Sequence, residues 1–522
     1  MFKQLFGKNR SHGKSAAMRL IATANQEPKI QQPLASQLQE NLEIIQTLLH
    51  RPSDLIIRQF SFAAEELTCC LVCIDGLVDS AFINEQILKP MLRYGDQAVG
   101  SVEQSFYILE QFVLTAFDME KAETMDNSIQ AILSGDTLVL VDGLAQALVI
   151  SSKGWRTRAI EEPQTEAIIR GPRTGFTEDI RTNTALLRRR IKEPNLVLQS
   201  YQLGARARRD VVVAYNAAIA HPELVKEVDR RLRTVDIDDI EGSGYLEQWI
   251  ADSFLSPFPV ILNTERPDKV SGAIMQGRIA IMVDGDPFAL IVPITFSSSL
   301  QSPEDYYQHW LITTLTRMLR MIAAFIATFL PALYIALLEY HHGMIPSKLA
   351  FSIAGAREGV PFPAVMEAFM MEITLELLRE AGLRLPKPIG QTIGIVGGLV
   401  IGEAAVAAGM VSPVMVIVVA VTAISSFALP SYAFAISLRV IRFGIMLSAA
   451  FFGLYGIILA YIMINVHIVN LKSFGVPYST PFAPLFFKDW KDLIVRSPLI
   501  FMKDRPQMMQ TEDSVRLNKG NE

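Results

Sequence analysis

The sequence predicts an α/β soluble N-terminal domain made of two similar subdomains, followed by an all-α multi-pass membrane domain of four or five helices. Three observations carry this. The chain has 522 residues, too many for one ordinary domain. Half of it is hydrophobic and mean hydropathy is +0.28, yet most Arg, Asp and Glu fall in residues 1–310 while 311–470 is nearly continuous apolar sequence. Finally, "LSGDTLVLVDGLAQALVI" at Leu133–Ile150 returns in similar form as "MQGRIAIMVDGDPFALIV" at Met275–Val292. The net charge of -5 is mild and argues against a nucleic-acid partner.

Residues 1–36 read as a basic mobile tail without an apolar h-region, so the soluble half is expected to stay on the cytoplasmic side. A helical pattern begins near Leu38 in "LQENLEIIQTLLH", followed by the strand "CCLVCIDGLVD" and the helix "SAFINEQILKPML". Cys70-x-x-Cys73 has redox spacing, but no helix N-terminus follows the first Cys to lower its pKa, and small buried thiols fit a strand core. A shift of 142 residues lays Val141, Asp142, Gly143 and Ala147 on Val283, Asp284, Gly285 and Ala289, and the same shift aligns "GLVDSAFINEQIL" with "AIAHPELVKEVDR". Residues 60–150 and 205–292 are therefore two copies of one α/β unit. Asp142-Gly143 and Asp284-Gly285 read as hairpin turns, because Gly supplies positive φ at no steric cost. One carboxylate per turn is a poor cation site.

Between the copies, "IIRGPRTGFTEDIRTNTALLRRRI" carries a Gly/Pro loop and a helix start at Thr177. Arg170, Arg173, Arg181 and Arg188 make it basic. It is either a solvated face or a loop that docks on a neighbouring acidic subunit or anionic surface. The expected organisation is a tail at 1–36, a first α/β subdomain with the Arg-rich loop and helix at 37–200, and a second at 201–300. A transmembrane domain at 301–475 and a polar C-terminal tail at 476–522 follow.

A membrane-crossing helix needs about 20 apolar residues. Met321–Tyr340, Ile389–Met410, Ser412–Pro430 and Phe443–Val469 qualify. Gly394, Gly398 and Gly402 share one face and suit helix packing. Residues 361–381 have the length but carry Glu367, Glu372, Glu376, Arg379 and Glu380. This is either an interfacial helix or one packed inside an oligomer with its acidic face lining water, where symmetry would make a cation-favouring ring. Glu403 is costly inside a span and is either functional or bonded to a neighbouring helix. Counting 361–381 as spanning gives five crossings, the preferred count; leaving it out gives four and puts both ends inside.

The runs "GRIAIMVDGDPFALIVPITF", "MIPSKLAFSIAGAREGVPFPAVMEAFMMEITLELLREAG" and "LPKPIGQTIGIVGGLVIGEAAVAAGMVSPVMVIVVAVTAISSFALPSY" resemble the A subunits of spore germinant receptors, the GerA family, as does "RGPRTGFTEDIRTNTALLRRRI". The resemblance implies a multi-pass protein of the spore inner membrane. It implies a transporter-like, nutrient-binding B subunit and a lipoprotein C subunit as partners, and a homo-oligomer, a pentamer, forming a nutrient-gated ion channel. It also covers a sporulation-stage paralogue that amplifies ion release. The pore or gate candidates are Val360, Phe362, Val365, Glu367, Phe369, Glu372, Glu376 and Glu403. No cofactor, metal site or enzymatic chemistry is expected, for no P-loop, zinc pair or nucleophile elbow is present. The rival readings are a non-conducting scaffold, a transporter in which this chain binds the nutrient, and a membrane-anchored enzyme.

Overall fold

The computed structural model describes residues 32–62, 67–94, 106–109, 118–154, 162–163, 165–384, 398 and 400–516. The chain divides into two compact units, 1–158 with 181–199, and 159–180 with 200–522.

The first unit is built on a five-stranded antiparallel sheet of order β1-β2-β4-β5-β3. Its strands are β1 (Leu55–Phe62), β2 (Leu67–Ile74), β3 (Met119–Ala122), β4 (Thr137–Val141) and β5 (Ala147–Ile150). Both faces are covered, so β2 and β4 read as unbroken apolar runs. Cys69 and Cys73 enter the core on one face with Ile87 and Met91, while Cys70 enters the other with Leu42 and Ile129. Burial pushes the thiols of Cys69 and Cys70 up to about 12 and that of Cys73 up to about 11, the opposite of a reactive pair. Helix α1 (Leu38–Leu48), a helix α2 at 80–94 with a π-helical middle, and α3 (Met125–Ser134) supply the covering layers. Thr124 caps α3, and Gly135 ends it at φ +90°.

After α4 (Ile180–Arg190), the same plan is built again. The strands β6 (Leu196–Leu203), β7 (Arg209–Asn216), β8 (Leu262–Thr264), β9 (Ile279–Val283) and β10 (Ala289–Val292) take the order β6-β7-β9-β10-β8. Even the register repeats: Cys69 pairs with Val141, and Val211 with Val283. Helices α5 (Pro222–Leu232), α6 (Ser243–Ile250) and α7 (Pro267–Ile274) accompany this sheet. The duplication read from sequence is therefore a duplication of fold.

The Val-Asp-Gly phrase does more than turn the chain. The connections run five residues, 142–146 and 284–288, rather than forming two-residue hairpins. Gly143 and Gly285 hold φ +90° and +86° as the turn reading requires. Asp142 Oδ1 accepts from the N–H of Leu38 (2.9 Å), and Asp284 Oδ1 from that of Ile180 (3.2 Å). Gly143 and Gly285 donate to the carbonyls of Ser36 and Glu178, both at 2.8 Å. Residues 38 and 180 stand in the same relation as 142 and 284. The repeat thus reaches upstream to α1 and α4, and the Arg-rich segment contains the second copy's first helix. Each aspartate caps the first turn of such a helix, a role worth about 1 kcal/mol.

The rest of the second unit is a helix bundle: α8 (Trp310–Glu339), α9 (Ser347–Arg357), α10 (Ala364–Arg384), α11 (Pro413–Phe427) and α12 (Tyr432–Asn470), with helical residues also at 400–407. Helices α8 and α12 are long and apolar enough to cross a membrane. The core joins Ile335, Ala368, Met371, Met415, Val419, Met446 and Ala449. The span expected at Phe443–Val469 is not one straight helix. Gly453, at φ +59° and ψ -139°, breaks α12. Phe258 meets the rings of both Phe434 (6.2 Å) and His467 (6.0 Å), which a continuous helix would hold ~50 Å apart. Hence α12 is a hairpin, with Gly456 seated against the Ser448 carbonyl where no side chain fits. At its tip the Tyr340 hydroxyl donates to the Ala450 carbonyl (2.6 Å).

Helix α10 begins at this same tip, where Ala364 N–H donates to Glu339 Oε1 (2.7 Å). It runs back to the opposite end, where Arg379 lies 5.0 Å over the Phe427 ring. The two arms of α12 return the chain to that end too, so residues after 470 pack on the second sheet's subdomain. Ser473 Oγ donates to the Val260 carbonyl (2.6 Å) and Glu512 N–H to the Ile219 carbonyl (3.0 Å). The reversal comes at one glycine inside an apolar run whose hydropathy does not change across the bend.

Gly453→Ala is expected to destabilise the purified protein by about 1–3 kcal/mol from backbone strain alone. A Cβ would also meet His341 Cε1 at 2.9 Å and Tyr340 Cβ at 3.0 Å. Thermal unfolding of the detergent-extracted variant checks this, and a melting temperature equal to wild type would contradict the reversal.

Candidate functional site

The first glutamates of α10, Glu367 and Glu372, lie within the apolar bundle, and each glutamate of the first three has an arginine beside it. Glu367 is fully buried. Its Oε2 accepts from Ser412 N–H (2.8 Å), and Arg357 Nη2 stands 2.9 Å from Oε1. Glu372, also buried, faces Arg442 of α12 at 2.8 Å. Arg442 Nη1 in addition reaches the Ala327 carbonyl of α8 (3.4 Å). Glu376 is half-buried and pairs with Arg439 (2.8 Å) and Arg379 (3.0 Å). Glu380 is exposed and pairs with Arg384 (2.6 Å).

The i, i+4 spacing does place Glu372, Glu376 and Glu380 on one face, and each has an arginine beside it. The face grades from buried to exposed, and Arg439 and Arg442 neutralise its inner two-thirds. Within the single chain the buried part of this face is paired rather than open. The reason is desolvation: a lone carboxylate in an apolar bundle costs several kcal/mol, and the nearest guanidinium is drawn in. Arg357, Arg439 and Arg442 were not read as site residues in the sequence. Their signal was present, since Arg439 and Arg442 border an apolar run and need partners if they lie within it.

The remaining candidates divide. Val360, Phe362, Val365 and Phe369 are partly exposed, with Val365 and Phe369 packed against the bundle core. Glu403 is exposed. Gly402 is buried, and a Cβ there would meet Val416 Cγ1 at an ordinary 3.5 Å. Gly398 is exposed, with open space among the described residues where its Cβ would stand. Gly394 lies outside the described residues.

Among the basic candidates, Arg170, Arg173 and Arg181 are exposed, Arg181 standing 3.4 Å from Asp75. Arg188 is only 1% exposed. Its Nε and Nη2 fork onto Asp54 at 2.9 Å each, and Nη1 donates to the Leu196 carbonyl (2.8 Å). It is a core residue of the first unit, and its reading as a subunit contact is corrected.

A second charged knot ties the start of α8 to the C-terminal segment. Asp305 accepts from Arg317 Nε (2.9 Å) and Arg320 Nη1 (2.8 Å). Asp492 accepts from Arg317 Nη1 (2.9 Å) and the Tyr306 hydroxyl (2.7 Å). The segment expected to be an irregular polar tail is thus held on both α8 and the second sheet's subdomain. Among the described residues no His, Cys, Asp and Glu group could hold a metal ion.

The family model described as "Bacillus/Clostridium GerA spore germination protein" matches residues 43–508. Spore germination protein GerLA of Bacillus cereus is 49% identical over 92% of this chain and 97% of its own. Spore germination protein B1 of Bacillus subtilis (strain 168) is 45% identical over 92% and 99%. A Bacillus subtilis relative called membrane protein YfkQ is 42% identical over 91% of each chain. The crystal structure of the N-terminal domain of the A subunit of the Bacillus megaterium spore germinant receptor GerK3 is 36% identical. That match covers 51% of this chain and 97% of the other at a TM-score of 0.41. On the family match over residues 43–508 and relatives 45–49% identical across nine-tenths of its length, this chain belongs to the GerA family of spore germination proteins.

Proposed function

We propose that the chain is a non-enzymatic membrane subunit of a nutrient-responsive germination receptor. It spans the spore inner membrane, with its α/β units on the spore-core side. It oligomerises into a cation channel opened when nutrient binds the B subunit, with the lipoprotein C subunit completing the complex. The observation that carries this reading is the row of α10 carboxylates inside an apolar bundle, each buried one held by an arginine from another element. Such a row is expensive, and intramembrane ionisable residues mark ion paths and gates. The membrane setting is supported by the outward apolar side chains of α8 and α12, among them Phe325, Phe451, Tyr455 and Met463. In the arrangement described, every carboxylate of the row has an arginine beside it, which suits a closed channel.

The test is ion release from spores carrying small or bulky substitutions at Val360, Phe362, Val365 and Phe369, at equal protein level. Alanine is expected to leak ions without nutrient, and tryptophan to block release when nutrient is added. Indifference to side-chain size at all four positions would leave the non-conducting scaffold as the better reading.

A further inference from the structure

A cleft lies between the start of β9, the 3-10 turn Phe296–Leu300 and the C-terminal segment. Its lining includes six cations: Arg278, Lys488, Lys491, Lys503, Arg505 and Arg516. Three carboxylates also line it, and two are already engaged. Asp489 accepts from the N–H groups of Gln507 (2.8 Å) and Met508 (2.9 Å). Asp492 is held by Arg317 and Tyr306. The third, Asp504, is exposed at the rim.

Arg278 is the unusual member. It is 5% exposed and makes one side-chain hydrogen bond, from Nη2 to Ser298 Oγ (3.0 Å), while its buried Nε has no partner. No carboxylate lies within ion-pair distance of it among the described residues. A buried guanidinium without an anion is costly. Burial holds Arg278 down to about 10, with Tyr306 and Asp492 opposing that shift. The buried Arg266 and Arg317 of the same unit each have a carboxylate at 2.9–3.0 Å, whereas Arg496, 3% exposed and 5.4 Å over the Tyr306 ring, has none within ion-pair distance among the described residues.

We infer that this cleft binds a phosphate-bearing anion, with Arg278 as its buried donor and Lys488 and Lys491 closing over it. Guanidinium groups fork onto phosphate oxygens, and flexible lysines add charge at the rim. Leu493, Phe501 and Met502 give the cleft apolar walls beside the cations. The cleft shares Asp492 with Arg317 at the start of α8, beside the exposed Leu311 and Leu315, where the apolar surface of the bundle begins. That position fits either a phospholipid headgroup or free phosphate, and the same chemistry serves both.

The test uses the full-length protein in nanodiscs of a neutral lipid, melted with and without inorganic phosphate at constant ionic strength. A parallel set of nanodiscs contains phosphatidylglycerol. A rise in melting temperature with either probe is expected, and the probe that acts identifies the source. Arg278→Gln should weaken the phosphate effect about tenfold or more. The surface double variant Lys488→Glu with Lys491→Glu should weaken it too and leave the ligand-free melting temperature in place, so a folding defect in Arg278→Gln cannot mimic the result. No shift with either probe, or a shift in both variants as large as in wild type, would overturn the assignment.

Discussion

Arg188→Ala is expected to destabilise the first unit by about 3–5 kcal/mol. Arginine and aspartate are both buried, and the fork onto Asp54 uses both carboxylate oxygens. Truncation leaves Asp54 dry and charged, with the Leu196 carbonyl also losing its donor. The pair itself contributes far less than that, because taking two ions out of water offsets most of their attraction. Replacing both members, Arg188→Met with Asp54→Leu, is therefore expected to recover most of the loss. Arg170→Ala, at an exposed position of the same basic segment, should stay within about 0.5 kcal/mol of wild type. Urea unfolding of the purified variants measures all three. A cost below about 1 kcal/mol for Arg188→Ala would mean that water reaches the pair, and that the segment is a surface element after all.

Glu372→Ala is expected to be as costly, about 3–5 kcal/mol, for the same reason at a different place. It strips the carboxylate from Arg442, which is 3% exposed in its side chain and otherwise has only a long contact to the Ala327 carbonyl. The functional prediction is sharper. If the pair holds α10 against α12 in a closed channel, Glu372→Ala and Arg442→Ala should each raise ion leakage from dormant spores. Glu372→Leu with Arg442→Met should restore resting tightness, since an apolar pair can pack where two ions did. The double-mutant cycle should show a coupling of at least about 2 kcal/mol. Additive effects on stability and leakage would show that the two residues act separately and would remove the latch from the mechanism.

The repeated α/β unit was legible because strand residues and turn glycines obey local rules. The 142-residue shift survives in β2, β4, β5 and α3 and their second copies without a gap. The first helix of each copy was harder to match, since only Asp142 and Asp284, far along the chain, reveal the shared capping role. A cap's partner is a backbone N–H, which leaves no residue-type signature. The arginines of 168–191 misled for a related reason. Composition cannot separate Arg188, turned into the core, from Arg170, turned out.

For the bundle, hydropathy located the apolar segments and the four-residue spacing of glutamates on α10. It was silent on the reversal at Gly453, because an apolar hairpin and an apolar rod have the same composition. It was equally silent on which arginine meets which glutamate.

By itself, the sequence determined that this protein has a duplicated α/β half and an apolar helical half, that its cysteines are core filler, and that charge is concentrated along α10. Periodicity and composition are properties of neighbouring residues, so they can be read in order along the chain. Only the tertiary structure decided that the glutamates of α10 are neutralised by Arg357, Arg439 and Arg442, that α12 folds back on itself, and that Arg278 stands without an anion in a basic cleft. Each of these depends on which groups, distant in sequence, share a volume too small or too dry for water. The energy of a buried charge is set by that volume and not by its neighbours in the chain.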